Sequence, residues 1–220
     1  MTLIQSIHYG GAMSVMTSDT RQVYKSFGKT KIMKNDKSKI SRISPYCIFG
    51  GGGTNKIVDA IRDHLTSNSI SNVFLSEYVI PLNRAVKEVQ LQYIEEFKNE
   101  ETAQIMISGF NEDGSSGLIT FITGTDQEVK YIQLEDSEEL FNFISPSEDE
   151  SEAVFQSVKR MPVERVEDLT EASIGYLANI QNAFYMNDPK TVSEIFCYCA
   201  IYRDPNTGEF QFFEDKIRLN

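Results

Sequence analysis

The 220-residue sequence has the composition of an ordinary soluble globular protein, with 40% hydrophobic and 24% charged residues. A chain of this length and composition can bury a sizeable core, which argues against a disordered protein. Its net charge of −11 argues against duplex nucleic acid or an anionic membrane as a partner, because such partners need a local surplus of basic groups. No repeat or linker marks a boundary, so we predict one domain, residues 1–220.

The cysteine and histidine content argues against disulfide and metal sites. The three cysteines, Cys47, Cys197 and Cys199, form no even disulfide framework, and we expect buried free thiols in a reducing cytoplasm. With only His8 and His64 in the chain, a zinc site lacks ligands. No apolar run reaches the length of a transmembrane helix or signal peptide. We therefore predict a cytoplasmic protein without a metal or cofactor.

The first residues predict a hairpin with a threonine at its start. Two apolar-rich runs, residues 3–9 and 12–17, flank a pair of glycines, a tight-turn signal between strands. Thr2 begins the first strand. If Met1 is removed, Thr2 carries a hydroxyl and a free α-amine, whose pKa near 8 leaves a useful fraction able to accept the hydroxyl proton at neutral pH. Thr2 is therefore a candidate nucleophile with its own base.

The order of motifs after this hairpin resembles a known family. The second strand ends in Ser18-Asp19-Thr20-Arg21, and Lys39 follows in the segment K-I-S-R-I. This order, together with the segment I-M-I-S-G-F-N-E-D-G at residues 105–114, resembles proteasome β-type subunits, which are N-terminal-nucleophile hydrolases. The resemblance implies that Asp19 and Lys39 support the threonine.

Four consecutive glycines join a predicted strand, residues 45–49, to a predicted helix, residues 54–65. Such a junction suits an anion, but no Gly-Lys-Ser/Thr follows, and the third glycine of a dinucleotide fingerprint would fall at Asn55. The resemblance instead implies a glycine whose N–H faces the developing oxyanion. We assign this role to Gly50 and leave Gly51, Gly52 and Gly53 as alternatives.

The remaining pattern predicts alternating groups of strands and helices. The order is strands, two helices, strands, two helices, strands, which predicts an α+β fold with two antiparallel sheets between helical layers, a four-layer αββα sandwich that the resemblance also implies. The predicted segments are helices at 76–98, 151–160 and 166–184, strands at 103–110, 117–123 and 129–134, and a closing hairpin at 195–202 and 209–213. Residues 22–38 are predicted to form a short ribbon or loop.

The resemblance also implies support from a late Asp and Ser, for which Asp188 and Ser193 are the candidates. The sequence departs from the family pattern here, because no glycine pair follows, and Ile144-Ser145-Pro146-Ser147 replaces a Gly-Ser-Gly segment. These departures motivate an alternative to an active enzyme.

We predict an N-terminal-threonine hydrolase of proteasome type that cleaves peptide or other amide bonds. Thr2 attacks, its amine acts as base, Lys39 stabilises charge at the oxygen, and Asp19 orients Lys39. The alternative is a catalytically inactive homologue that serves as a structural or binding subunit. A nucleotide-binding protein that uses the four glycines is a third hypothesis. In the first two, the expected partner is a second copy in a homo-oligomer.

Overall fold

The computed structural model describes residues 2–26, 29–34, 36–67, 73–93, 103–123, 129–145, 154, 158 and 168–219. These residues form twelve β-strands and three α-helices, with a short 3-10 turn at Leu75–Tyr78. The strands are β1 Ile4–Tyr9, β2 Met13–Asp19, β3 Gln22–Ser26, β4 Lys29–Lys34, β5 Ile40–Ser44, β6 Cys47–Gly53, β7 Ala103–Phe110, β8 Ser116–Ile122, β9 Lys130–Gln133, β10 Glu139–Ile144, β11 Ile195–Arg203 and β12 Phe210–Arg218. The helices are α1 Asn55–Ser67, α2 Val79–Gln92 and α3 Leu169–Asn187.

The strands form three antiparallel sheets. One five-stranded sheet has the order β10-β1-β2-β11-β12, the other has the order β5-β6-β7-β8-β9, and β3 pairs with β4 as a separate ribbon. Strand β2 lies at the centre of the first sheet, and all seven of its residues are buried. Its last residue, Asp19, is therefore held at a buried position.

Three groups of apolar side chains hold these elements together. One group packs α1 and α2 against the β5–β9 sheet, and a second packs α3 against the sheet that contains β1 and β2. A third joins the two five-stranded sheets through Ile4, Met16, Ile48 and Met106. Burying each such side chain contributes roughly 1.5–3 kcal/mol.

The predicted αββα sandwich is wrong in its layout. The described residues form three sheets instead of two, because β3 and β4 pair only with each other. They also contain three helices instead of four, and the described part of the chain has no clear four-layer arrangement. The predicted helix at 151–160 lies outside the described residues except for positions 154 and 158.

Strand β10 was not predicted from the sequence. Residues 135–152 are strongly acidic, and the prediction placed no strand there. In the structure β10 pairs with β1 along its whole length, from Ile4 opposite Ile144 to Tyr9 opposite Glu139. The strand itself contains only one acidic residue, Glu139, and four apolar residues, so a short apolar run inside the acidic segment was the signal that the prediction missed.

The three cysteines are free and buried, as predicted. Burial raises the pKa of Cys47 and of Cys199 to about 12, and it also raises the pKa of Cys197. The thiolate is the reactive form, so these thiols are unreactive at neutral pH. The described residues contain no helix that is long and apolar enough to cross a membrane.

We expect His8 to make the fold sensitive to acid. The ring is fully buried, its Nδ1 lies 3.3 Å from the Ser14 hydroxyl, and within the described part of the chain its Nε2 has no partner. Burial lowers the pKa of His8 from 6.5 to about 3. Below pH 6.5 only the unfolded chain takes up this proton, so the free energy of unfolding falls by about 1.4 kcal/mol per pH unit between pH 6.5 and 3.

This expectation is checked by urea unfolding at a series of pH values, with His8→Gln as the comparison. Carboxylates contribute to acid unfolding in both proteins, so the difference between the two slopes isolates His8. Equal slopes for the parent and the variant would contradict the assignment.

Candidate active site

Asp19 holds the peptide group that follows the candidate nucleophile. The β1–β2 hairpin pairs Ile4 with Ser18, which brings the start of the chain beside the end of β2. Oδ1 of Asp19 accepts the N–H of Leu3 at 2.9 Å, and Oδ2 accepts the N–H of Arg21 at 2.9 Å. The Asp19 N–H in turn donates to the Leu3 carbonyl at 3.1 Å. The peptide group that follows Thr2 is thus fixed by a buried carboxylate.

Lys39 forms a buried ion pair with the same carboxylate oxygen. Its Nζ lies 2.5 Å from Oδ1 of Asp19, and its side chain is only 6% exposed. The Lys39 backbone is fixed by the N–H of Gly51, which donates to its carbonyl at 3.1 Å, and by its own N–H, which donates to Ser18 Oγ at 3.4 Å. Because one oxygen accepts both the ammonium and the Leu3 N–H, the ammonium lies beside the Thr2–Leu3 peptide.

Two opposing effects act on the charge of Lys39. Burial lowers the pKa of Lys39 below its ordinary value, and the charge of Asp19 and its hydrogen bond raise the pKa in the opposite direction. The nearby charge of Arg21 lowers the pKa further. Removal of one partner from a buried ion pair typically destabilises a protein by about 3–5 kcal/mol, because the other charge stays buried and uncompensated.

Thr2 is buried against Gly52. Thr2 is 8% exposed, and a Cβ placed on Gly52 would lie 3.2 Å from both Cβ and Cγ2 of Thr2. The same Cβ would lie 3.1 Å from Ile144 Cγ2 at the end of β10. The absence of a side chain at Gly52 therefore makes the room in which Thr2 sits.

Gly50 lies elsewhere, between the two five-stranded sheets. A Cβ on Gly50 would meet Met16 Sδ at 2.5 Å and Ile4 Cγ2 at 3.2 Å, so this glycine allows close packing of the core. The structure brings Gly52, and not Gly50, against Thr2.

Gly53 is the last residue of β6, and the direction of its N–H follows from that of Gly51. N–H groups along a strand point alternately to its two neighbours, and the Gly51 N–H points to Lys39 on the β5 side. The Gly53 N–H therefore points to that side as well, at the exposed end of β6. Gly53 has a φ of +100°, a conformation that glycine adopts without a steric penalty.

We expect Gly52→Ala to impair the site more than the fold. The added methyl would press on Thr2 at 3.2 Å, which is tighter than an ordinary contact. We expect a stability loss of about 1–3 kcal/mol from overpacking and a loss of activity of roughly 100-fold from displacement of Thr2.

The matched control is Gly175→Ala in α3, where nothing lies within 4 Å of the new methyl. It should leave activity unchanged and raise stability slightly, since alanine favours a helix. The measurements are thermal unfolding and hydrolysis of an amide reporter. Equal activity of the two variants would contradict the placement of Thr2.

Ser193 fixes the residue next to Asp19. Its Oγ accepts the N–H of Thr20 at 3.0 Å, lies 3.1 Å from Thr20 Oγ1, and donates to the Ile195 carbonyl at 2.9 Å. The Ser193 carbonyl accepts Nε2 of Gln181 from α3 at 2.9 Å. The structure thus links Ser193 to the Asp19 segment through the backbone.

Asp188 makes its described side-chain contacts within its own turn. It follows α3, its Oδ1 accepts the N–H of Lys190 at 3.0 Å, and its Oδ2 accepts Oγ1 of Thr191 at 2.8 Å. The hydroxyl beside Asp188 is thus that of Thr191 and not that of Ser193. Thr191 was not predicted from the sequence, although its spacing of three residues from Asp188 is a usual turn signal.

A second ion pair next to the site was also missed. Arg21 Nη2 lies 3.1 Å from Glu194 Oε2, and the two side chains are 8% and 18% exposed. Arg21 directly follows the Asp19 segment, and Glu194 directly follows Ser193. The sequence did show a charged residue close to each of two candidate site residues, Arg21 after Asp19 and Glu194 after Ser193, and this was the signal that could have indicated the pair.

The described residues contain no group of three or more His, Cys, Asp or Glu side chains that could hold a metal ion. Asp19 contacts Lys39 and the peptide that follows Thr2, and Thr2 packs on Gly52. Ser193 contacts Thr20, next to Asp19, and Asp188 lies in a separate turn. A buried ammonium beside a threonine is suited to stabilising negative charge that develops on the threonine oxygen.

Comparison with known proteins gives a structural likeness only. No protein-family model and no curated protein matches the chain. The solved structures that match include a Gly-1 mutant of Anbu from Hyphomicrobium sp. strain MC1, at 13% identity and a TM-score of 0.64, covering 99% of this chain and 87% of that one. They also include the helical assembly of the Anbu complex from Pseudomonas aeruginosa, at 10% identity and a TM-score of 0.65, covering 98% and 86%.

These matches correct the resemblance drawn from the sequence. Both neighbours are Anbu proteins, which are proteasome-related, and the assignment to proteasome β-type subunits is wrong in that respect. At 10–13% identity the likeness is one of fold. The chain therefore has a fold similar to that of the two Anbu structures.

Proposed function

We propose that the chain is an N-terminal-threonine hydrolase that cleaves peptide or other amide bonds once Met1 is removed. The observation that carries this proposal is the shared oxygen of Asp19, which accepts both the Leu3 N–H and the Lys39 ammonium. The lysine of this ion pair is 6% exposed and the aspartate is fully buried, so forming the pair costs free energy because both charges lose their contact with water. Its position beside the Thr2 peptide supports a role in catalysis.

In this proposal the hydroxyl of Thr2 attacks the substrate carbonyl carbon. The hydroxyl proton passes through water to the α-amine of Thr2, and the Lys39 ammonium stabilises the negative charge that develops on the threonine oxygen. The carbonyl electron pair moves to its oxygen, which accepts a hydrogen bond from the N–H of Gly53. These steps form a tetrahedral intermediate.

Collapse of this intermediate breaks the amide C–N bond. The protonated amine of Thr2 gives its proton to the leaving nitrogen, and the acyl group stays on Thr2 as an ester. Water, deprotonated by the same amine, then attacks the ester carbonyl, and the bond from the acyl carbon to the Thr2 oxygen breaks. The amine returns its proton to the Thr2 oxygen as the acid is released. Asp19 keeps Lys39 charged and oriented through both halves of the reaction.

The test is formation of an adduct at the N-terminus. Protein without Met1, verified by intact mass, is treated with an electrophile that requires both the hydroxyl and the amine of an N-terminal threonine. We expect one adduct, mapped to Thr2 by peptide mass spectrometry. If folded protein without Met1 forms no adduct, the hydrolase proposal is wrong, and the role of a structural or binding subunit takes its place.

We further propose that the chain is a single domain that assembles with copies of itself. The support is the Anbu complex from Pseudomonas aeruginosa, which forms a helical assembly. Sedimentation of the purified protein measures this self-association, independently of any activity.

A further inference from the structure

Strand β12 presents a long exposed edge. Among the described residues it pairs with β11 on one side and with nothing on the other. Six consecutive residues, 213–218, are exposed, and they include the large apolar side chains of Phe213 and Ile217, at 44% and 43%. An unpaired edge of this length is a template for another strand.

The backbone groups of this edge follow from the ladder with β11. Leu219 donates its N–H to the Glu194 carbonyl at 2.8 Å, in the same register in which Arg218 lies opposite Ile195. Odd-numbered residues of β12 therefore turn their N–H and C=O groups towards β11. Even-numbered residues, from 212 to 218, turn theirs to the free edge.

We propose that this edge pairs antiparallel with β12 of a second copy, with Asp215 on the two-fold axis. This inference rests on the self-association proposed above and adds the surface that carries it. In this register Glu214 lies opposite Lys216 of the second copy, and Phe213 lies opposite Ile217 of the second copy. Both pairs occur twice by symmetry.

The side chains favour this register. Opposite charges and pairs of aromatic and β-branched residues stabilise neighbouring strands, whereas like charges destabilise them. A shift of two residues in one direction places Lys216 opposite itself, and a shift in the other direction places Glu214 opposite itself. The proposed register joins the two exposed apolar residues instead.

The exposed apolar residues continue into a groove. Phe213 and Ile217 line a groove of about 800 Å³ between β12 and α3, together with Ile174 and Ala178 of the helix. Pairing of the two edges places the second copy's Phe213 and Ile217 next to this groove and extends its apolar floor across the two-fold axis. The second copy thereby covers apolar surface that the single chain exposes to water.

Asp215 limits the strength of this contact. In the proposed dimer it lies opposite Asp215 of the second copy, so two negative charges meet at the axis. Its Oδ1 also accepts the backbone N–H of Lys216 at 2.7 Å, and pairing with the second strand would need this same N–H. Natural edge strands often carry charges that restrain pairing. We therefore expect a reversible dimer and tighter association of the Asp215→Asn variant, which removes the repulsion.

The test is a charge reversal across the axis, followed by sedimentation equilibrium of the full chain. Glu214→Lys and Lys216→Glu should each raise the dimer dissociation constant about tenfold, because each creates two like-charge pairs. The double variant should return close to the parent value, since the ion pairs are restored with reversed sign.

Glu214→Lys distinguishes a local charge pair from general repulsion more clearly than Lys216→Glu does. It brings the net charge of −11 nearer to zero, so general repulsion between copies falls, and general repulsion alone would predict tighter association. Weaker association therefore identifies the local pair. Glu112→Lys makes the same charge change at an exposed position outside β12 and should not weaken the dimer. Lys87→Glu measures the general effect of added negative charge, and Lys216→Glu should weaken the dimer more than this control does.

Each outcome decides the proposal. If the protein dimerises but the double variant fails to restore what the single variants lose, or if neither single variant matters, β12 is not the interface and self-association uses another surface. If both the parent protein and the Asp215→Asn variant stay monomeric at millimolar concentration, the proposed pairing and the proposed self-association are both wrong. The adduct at Thr2 is measured separately and is unaffected by either result.

Discussion

Thr2→Ala, in protein from which Met1 has been removed, is expected to abolish amide hydrolysis. The variant keeps the α-amine but lacks the hydroxyl that forms the acyl ester. Removal of a catalytic nucleophile typically lowers kcat by about four orders of magnitude or more. The measurement is hydrolysis of a small amide or peptide reporter, with thermal unfolding to verify that the variant is folded.

Two comparisons separate the nucleophile from its base. Thr2→Ser keeps a hydroxyl on the same residue and should retain measurable activity. Protein that retains Met1 should be as inactive as Thr2→Ala, because its Thr2 nitrogen is part of a peptide bond and has no useful basicity. Full activity of the Met1-containing protein would contradict the assignment of the amine as base.

The second large effect is expected from Lys39→Met, which removes the ammonium and keeps an unbranched side chain. We expect activity to fall by about 100-fold or more, since preorganised charges at an active site typically contribute this much. Asp19 is left buried without its cation, so some stability is lost as well. The matched control is Lys37→Met, whose lysine pairs with Asp59 at a half-exposed site and should leave activity unchanged.

The pH profile distinguishes a charge effect from a structural one. Activity should rise with pH as the α-amine loses its proton and fall again when Lys39 does. Burial lowers the pKa of Lys39, so this alkaline fall should begin below the ordinary lysine value of 10.5. Residual activity of Lys39→Met should lack the fall, and an unchanged profile would show that Lys39 acts only through packing.

Much of the secondary structure could be predicted from local patterns. The hairpin at Gly10, the strand before the four glycines and the helix after them all have counterparts in β1, β2, β6 and α1. The glycine turn and the helical spacing of apolar residues depend only on residues that are close together in the chain, so both can be recognised in the sequence alone. The helix predicted at 76–98 begins as a 3-10 turn, Leu75–Tyr78, which is followed by α2, Val79–Gln92, and residues 94–98 lie outside the described part of the chain.

The order of residues along the chain was enough to name the groups available for chemistry: a threonine beside the start of the chain, an aspartate after the second strand and a lysine twenty residues later. It could not show that one oxygen of Asp19 contacts both Leu3 and Lys39. That contact depends on pairing between distant strands and on burial, which exist only in the folded chain.

The choice of the glycine that faces Thr2 also required the folded chain. Four identical residues in a row give no local signal of register. Gly50 and Gly52 lie on the same face of β6, and only their positions along the strand decide that Gly52 reaches Thr2 whereas Gly50 packs against Met16 between the sheets. The sequence indicated a ribbon or loop at residues 22–38, but it could not show that β3 and β4 form a separate sheet or that β10 pairs with β1 at a sheet edge, because sheet layout depends on pairing between distant strands.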